Sequence, residues 1–175
     1  RRALLTVDVG NTSVTLGVVM GKQVQGRQSL PGMHQGDAEA EAVLKQLAKR
    51  YDFTGVAICS VVLSATVSWK RLLKKFCGGR MMVLDHKSEL PIKVTFPKPE
   101  TIGPDRLANA VGASILLGAP VVVIDIGTAL TFAIVVPEKG YVGGIIAPGL
   151  PLMFDYMAEK TALLPRITPA KLRGS

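Results

Sequence analysis

The amino-acid sequence predicts an α/β protein in which one strand–turn–strand–strand–helix unit occurs twice. An Asp-x-Gly sequence closes a hydrophobic strand in LTVDVGNT (5–12) and again in VVIDIGTA (122–129), and a similar order of elements follows each of them. A single Asp-x-Gly is a weak pattern, so two unrelated hairpins are the alternative. The matching layout favours a duplication, with a first domain over 1–117 and a second over 118–175.

The first unit is predicted to begin with three strands joined by tight turns, an order typical of an antiparallel meander. These strands are expected at 3–9, 14–20 and 23–30. A helix at 38–51 follows, and its apolar side is predicted to carry Ala42, Val43, Leu47 and Ala48. A buried parallel strand, a second helix, a short strand and a third helix complete the unit, at 54–62, 64–76, 81–84 and 104–117.

The second unit repeats the opening of the first. Residues 86–103 form a proline-rich loop of constrained shape, and Pro104 suits the first turn of the helix that follows. Strands are then predicted at 120–125, 130–136 and 141–147, with a helix at 150–160. Because this unit supplies fewer elements than the first, the second half is expected to be incomplete in this chain.

Composition excludes several classes of protein. With 175 residues, 48% of them hydrophobic, the chain can bury enough surface to fold, which argues against disorder. Cys59 and Cys77 are too few for a disulfide scaffold, so a reducing cytoplasm is the expected compartment. The apolar stretch 113–136 contains Pro120 and Asp125, which favours buried strands over a membrane helix.

The net charge of +8 suggests an anionic ligand, but the basic residues are scattered. Their densest cluster is predicted to be the solvated face of a helix, and it consists of Lys70, Arg71, Lys74 and Lys75. A nucleic-acid partner is therefore disfavoured.

The two Asp-x-Gly turns are the first candidates for chemistry. Glycine lets backbone N–H groups approach phosphate oxygens closely, and Asp8 and Asp125 are placed to hold a hydrated divalent cation beside a nucleotide. Further donors beside the turns are Asn11, Thr12, Thr128 and Thr131. The alternative is that each aspartate only caps its turn.

Two further segments carry candidate residues. Gly103-Pro104-Asp105-Arg106 opens a helix, where Asp105 can accept a proton from an acceptor hydroxyl and Arg106 can pair with an anion. The glycines of GGIIAPG (143–149) indicate close approach by a ligand or by another segment. His34 and His86 are interpreted as structural or surface residues, and Cys59 is interpreted as a small core residue in a buried strand.

Taken together, these residues resemble the type III pantothenate kinase family. The resemblance rests on DVGNT (8–12), GPDR (103–106), DIGTALT (125–131) and GGIIAPG (143–149), in this order, and on the tail EKTALLPRI (159–167). It implies a duplicated ribonuclease-H-like fold of the actin-like ATPase superfamily, with ATP between the halves. It also implies ATP-dependent phosphorylation of pantothenate to 4'-phosphopantothenate, the first step towards coenzyme A.

The resemblance also implies roles for individual residues. The ATP-binding residues would be Asp8, Val9, Gly10, Asn11, Thr12, Ser13, Val14, Thr15 and Thr128. The pantothenate-binding residues would be Phe96, Gly103, Pro104, Asp105 and Arg106, with Asp105 as the proton acceptor. Asp8 would hold Mg²⁺ through water, and Asp125 would bind a monovalent cation, K⁺ or NH₄⁺. Family members are typically homodimers.

Three departures from the family pattern stand out. Phe96 lacks the hydroxyl of the tyrosine often found there, Pro104 replaces a small residue, and the later Gly-Lys-Asn-Thr-like segment is absent. Two other functions stay open at this point. One is a non-catalytic regulator like the Bvg accessory factors, and the other is a different small-molecule kinase of the same superfamily.

Overall fold

The computed structural model describes residues 1–31 and 38–162, and it bears out the predicted order of strands and helices. The strands are β1 (Arg2–Val9), β2 (Ser13–Met20), β3 (Gln23–Pro31), β4 (Asp52–Ser60), β5 (Arg80–Val83), β6 (Val121–Ile126), β7 (Ala129–Val136) and β8 (Gly140–Pro148). The helices are α1 (Ala38–Arg50), α2 (Leu63–Leu73), α3 (Pro104–Leu117) and α4 (Leu150–Lys160). His34 and the end of the tail, 163–167, lie outside the described residues.

The chain divides into two compact units. The first comprises Arg1–Glu89 with Glu100–Ala108, and the second comprises Leu90–Pro99 with Asn109–Ser175. The boundary between the units, after Ala108, lies inside α3. The domains predicted from the duplication, 1–117 and 118–175, stay a prediction.

A five-stranded sheet of order β3-β2-β1-β4-β5 forms the first unit. The pairs β1–β2 and β2–β3 are antiparallel, which confirms the meander, and β4 lies parallel to β1 on its other side. Alternate residues of β1 are fully buried, namely Leu5, Val7 and Val9. This period of two directs the intervening side chains, including Asp8, to the opposite face of the sheet.

The helices of the first unit cover the buried face of the sheet. In α1 the buried residues are Ala40, Val43 and Leu44, spaced i, i+3, i+4 as on one side of a helix. The predicted apolar side was therefore partly wrong. Ala42 and Ala48 are exposed because they lie outside the stripe centred on Val43 and Leu44.

The basic cluster after Trp69 is exposed, which confirms its interpretation as a solvated surface. Trp69 and Leu73 are fully buried beneath it, so α2 has one apolar and one charged side. Lys75 Nζ lies 3.0 Å from Glu41 Oε2, and this ion pair connects the turn after α2 to α1.

The second unit contains a three-stranded antiparallel sheet of order β6-β7-β8. This sheet repeats the β1–β2 hairpin and the third strand, β3, of the first unit. Asp125 is the second-to-last residue of β6, as Asp8 is of β1. Ala133, Val135 and Tyr141 are buried on one face of this sheet. Among the described residues, no helix is long and apolar enough to cross a membrane.

Candidate functional site

The first candidate turn connects β1 to β2. Asp8 is exposed and pairs in register with Thr15 across the hairpin. The Gly10 N–H donates a hydrogen bond to Ser13 O at 3.0 Å, which closes the turn. Because this bond engages the Gly10 amide, a phosphate bound here would take its donors from the residues after Gly10.

Asp8 lies beside Cys59. The two residues are partners in the parallel register of β1 and β4, and their neighbours Val9 and Ile58 are buried on the other face of the sheet. The Cys59 thiol donates a hydrogen bond to the Asp8 carboxylate. The prediction that Cys59 belongs to the core was wrong, because its position in β4 directs it to the face that carries Asp8. Cys77 is the buried cysteine of this unit.

Asp105, at the start of α3, also influences the Cys59 thiol through its charge. Burial raises the pKa of the Cys59 thiol to about 12, and the negative charges of Asp8 and Asp105 add to this effect. An electrostatic effect of both carboxylates on one thiol requires both to be close to it. Asp8 and Asp105, which are far apart in the sequence, therefore both lie within electrostatic range of Cys59.

The loop before α3 fixes the position of Asp105. Asp105 Oδ1 accepts a hydrogen bond from the Arg106 N–H at 2.8 Å, and the same N–H lies 3.0 Å from Gly103 O. A Cβ on Gly103 would collide with Asp105 Oδ1, so glycine leaves the room that this carboxylate occupies. Pro104 needs no hydrogen-bond acceptor at the first helical position. This Gly-Pro-Asp sequence thus holds the carboxylate in a defined orientation.

An open cleft of about 340 Å³ lies next to this loop in the first unit. Its lining includes Gly103 and Pro104 together with Ser60, His86 and Glu100. The cleft offers space for a small molecule on the side of the loop that precedes Asp105. His86 is therefore a cleft residue, a location that its isolated place in the sequence did not indicate.

The second candidate turn connects β6 to β7. Asp125 is half-buried, and its Oδ2 accepts a hydrogen bond from Asn109 Nδ2 at 3.1 Å. Asp125 pairs with Thr131, so this turn is one residue shorter than the turn between Asp8 and Thr15. The two turns are related in type and differ in length.

The start of α4 packs directly on this second turn. The Gly149 N–H donates to Thr128 O at 3.0 Å, and a Cβ on Gly149 would collide with the carbonyl oxygens of Gly127 and Thr128. Thr128 is exposed beside this contact. The glycine therefore permits a backbone-to-backbone approach that positions Thr128.

Phe96 lies elsewhere in the second unit, against β8. The Thr95 N–H donates to Tyr141 O at 3.0 Å, so the loop runs along the edge of the strand. A Cβ on Gly143 would lie 3.3 Å from Phe96 Cδ2, and Gly143 has a φ of 141°. Of the two explanations offered for this glycine, a ligand or another segment, the structure supports the second.

The donors present fit cations that retain water. Within the described residues, no group of three or more His, Cys, Asp or Glu side chains gathers to ligate a metal. Mg²⁺ binds through one or two carboxylates plus phosphates and waters, so the single exposed Asp8 fits an ion that arrives with a nucleotide. The Asp125 carboxylate keeps acceptor capacity beyond its bond to Asn109 and suits a hard cation.

The structure thus places the predicted residues in two groups. Asp8 and its turn share the first unit with Gly103–Arg106, and Phe96, Asp125 and Thr128 belong to the second. Sequence reasoning missed Cys59 and Asn109. Aligning the predicted strands as parallel neighbours could have placed Cys59 beside Asp8, and Asn109 lies one helical turn after Asp105.

Residues 4–174 match the sequence profile of a family described as type III pantothenate kinase. A protein of that name from Methylacidiphilum infernorum is 37% identical over 164 residues, covering 94% of this chain and 58% of its own length. Another, from Akkermansia muciniphila, is 46% identical over 120 residues, covering 69% of this chain and 47% of its own length. The chain thus spans roughly half the length of these two relatives.

Among solved structures, the Ppx/GppA phosphatase of Aquifex aeolicus is similar to this fold. Its type II variant gives a TM-score of 0.54 at 12% identity, covering 99% of this chain and 60% of the other. A second structure from the same protein family and organism gives 0.50 at 13% identity, covering 98% of this chain and 58% of the other. The likeness concerns the fold alone, and it agrees with the predicted α/β fold class.

Proposed function

The chain belongs to the type III pantothenate kinase family, and we propose from this premise that the protein transfers the γ-phosphoryl group of ATP to pantothenate. The product is 4'-phosphopantothenate, which opens the route to coenzyme A. Family membership supplies the reaction, and the geometry of the first unit supports the assignment of residues to its steps.

One structural observation supports the proposal most strongly. Asp8, at the candidate phosphate turn, and Asp105, the candidate proton acceptor, both act on the Cys59 thiol. A kinase needs its phosphate site and its proton acceptor within reach of one another, because the acceptor hydroxyl must approach the γ-phosphorus in line. The shared influence of Asp8 and Asp105 on Cys59 within one unit supports the proposal.

The proposed reaction balances without a covalent enzyme intermediate. The hydroxyl oxygen of pantothenate forms a bond to the γ-phosphorus, and the bond from that phosphorus to the β–γ bridging oxygen breaks, so that ADP leaves. The hydroxyl proton passes to Asp105. Because the transition state of phosphoryl transfer is loose, Asp105 is required mainly to be correctly placed. Its bond to the Arg106 N–H supplies that placement.

We assign the nucleotide and the acceptor to separate segments. The residues proposed to hold ATP are the turn segment 8–15 together with Thr128. Those proposed to hold pantothenate are Gly103–Arg106, beside the open cleft, and Phe96. Phenylalanine offers an apolar ring and no hydroxyl, so its contribution would be contact area with the aliphatic part of the acceptor.

The cations belong to the same proposal. Mg²⁺ would neutralise developing charge on the phosphates, held by Asp8 through water, and a monovalent cation, K⁺ or NH₄⁺, would bind at Asp125. A homodimer and a cytoplasmic location stay predictions.

The experiment that tests the proposed function measures ADP release by the purified protein supplied with ATP, Mg²⁺ and K⁺. Release that requires pantothenate, with 4'-phosphopantothenate identified by mass spectrometry, is the expected result. A matched reaction with another hydroxy acid of similar size serves as the control. Nucleotide binding without pantothenate-dependent release would contradict the proposal.

A further inference from the structure

We infer that Asn109 is a positioning residue, which orients the Asp125 carboxylate for the monovalent cation. This inference rests on the proposed function, because it presupposes that a cation binds at Asp125. It adds a residue that sequence reasoning did not assign to the site.

The contact itself is direct. Asn109 Nδ2 donates to Asp125 Oδ2 at 3.1 Å, within the range of a well-formed hydrogen bond. Asp125 lies on the half-buried side of β6 with Val121 and Val123, whereas Val122 and Ile124 are exposed on the other side. The carboxylate is thus on a rigid strand, and its remaining freedom is rotation of the side chain, which the bond restricts.

The hydrogen-bond partner of Asp125 is a neutral amide and not a cation. Neither of the ion pairs at Glu41 involves Asp125, and the partner of its carboxylate among the described residues is the neutral amide of Asn109. A lysine or arginine at position 109 would neutralise the carboxylate and compete with a bound cation. The neutral amide holds one oxygen in place and leaves the full negative charge available.

An amide–carboxylate bond of this kind also leaves acceptor capacity on the carboxylate, which has about four lone-pair positions. A cation could therefore bind without breaking the bond to Asn109. Removing the donor should leave Asp125 free to rotate, so that each binding event costs additional ordering of the side chain.

The test compares Asn109→Ala with the unsubstituted protein and with Gln46→Ala, a control that removes an exposed amide from another helix. Two quantities are measured. One is the K⁺ concentration that gives half-maximal ADP release, and the other is the increase in Tm that K⁺ causes in the absence of nucleotide. Alanine favours helix, so Asn109→Ala should fold, which circular dichroism verifies.

We expect Asn109→Ala to raise the half-maximal K⁺ concentration by about 2- to 13-fold, the range that corresponds to one neutral hydrogen bond. The K⁺-dependent increase in Tm should shrink in parallel, and kcat at saturating K⁺ should change little. A merely structural role of Asn109 would lower Tm equally with and without K⁺.

The outcomes separate the inference from its premise. If the unsubstituted protein shows no K⁺ effect in either measurement, the cation at Asp125 is refuted and the inference with it. If the unsubstituted protein responds to K⁺ and Asn109→Ala responds at the same concentrations, the inference alone is overturned. A shifted K⁺ response in Asn109→Ala but not in Gln46→Ala supports it.

Discussion

Replacing Gly149 with alanine tests the close packing of the start of α4 on the turn between β6 and β7. Gly149 has φ −72° and ψ 167°, a conformation that alanine adopts readily, so the substitution adds no backbone strain. The added methyl group would instead overlap the carbonyl oxygens of Gly127 and Thr128. These are backbone atoms, which cannot rotate away as a flexible side chain would.

The magnitude follows from two contributions. Overpacking of this kind costs about 1–3 kcal/mol. Separating the turn from α4 also weakens the bond from the Gly149 N–H to Thr128 O, worth about 1 kcal/mol. The free energy of unfolding should therefore fall by about 2–4 kcal/mol, which lowers Tm by about 4–16 °C in a chain of this length.

Gly112→Ala provides the matched control in the same unit. Gly112 lies inside α3, and a Cβ there has no atom within 4 Å. The same chemical change should therefore stabilise the protein by about 0.5–1 kcal/mol through helix propensity and raise Tm by about 1–4 °C.

Thermal unfolding followed by circular dichroism measures both variants. The expected result is opposite signs for the two substitutions, with weaker nucleotide binding in Gly149→Ala because Thr128 is displaced. Equal Tm changes, or a stabilising Gly149→Ala, would refute the close approach of α4 to the turn.

Two further predictions concern ionisable groups of the first unit. Because the pKa of Cys59 is raised from 9.0 to about 12, much less of it is thiolate near pH 8, and its alkylation by iodoacetamide should be at least about tenfold slower than that of an ordinary thiol. Asp8→Asn should accelerate the alkylation, since loss of the carboxylate lowers the pKa of the thiol. The rate is measured by mass spectrometry of the peptide that contains Cys59, and an unchanged rate would contradict the contact between Asp8 and Cys59. The pKa of Glu41 is lowered by Lys75 and then by Lys45, so these pairs stabilise the fold above the ordinary pKa of 4.5 and cease to do so as pH falls through the lowered value. Glu41→Gln should therefore lower Tm slightly at neutral pH but not in acid or in about 1 M salt, and a loss of Tm independent of both would argue against an ionic origin.

The order of strands and helices was predictable because local patterns determine it. Alternation in β1 and the Gly-containing turn after it specify a hairpin without reference to the rest of the chain. The start of α3 at Pro104 was equally local, since proline fixes φ and lacks the N–H that a first-turn residue does not need.

The contacts between distant segments were not predictable in the same way. Cys59 sits in an apolar run that would suit a strand buried on both faces, and only the pairing of β4 with β1 shows that it faces Asp8. The bond between Asn109 and Asp125 likewise depends on where α3 lies on its sheet, which periodicity does not specify. Ala42 and Ala48 were predicted on the apolar side of α1 and are exposed, because an alanine side chain on a helix suits both a buried and an exposed position.

The measurement that tests the central claim most directly compares Asp105→Asn with Asp8→Asn. ATP binding in the presence of Mg²⁺ is measured by calorimetry, and pantothenate-dependent ADP release is measured in the same preparations. The account predicts that Asp105→Asn binds Mg²⁺-ATP like the unsubstituted protein but loses at least about 100-fold in turnover, the usual contribution of a general base. Asp8→Asn should lose Mg²⁺-dependent ATP affinity itself. Retained turnover in Asp105→Asn, or unchanged Mg²⁺-ATP affinity in Asp8→Asn, would contradict the roles assigned to these two carboxylates.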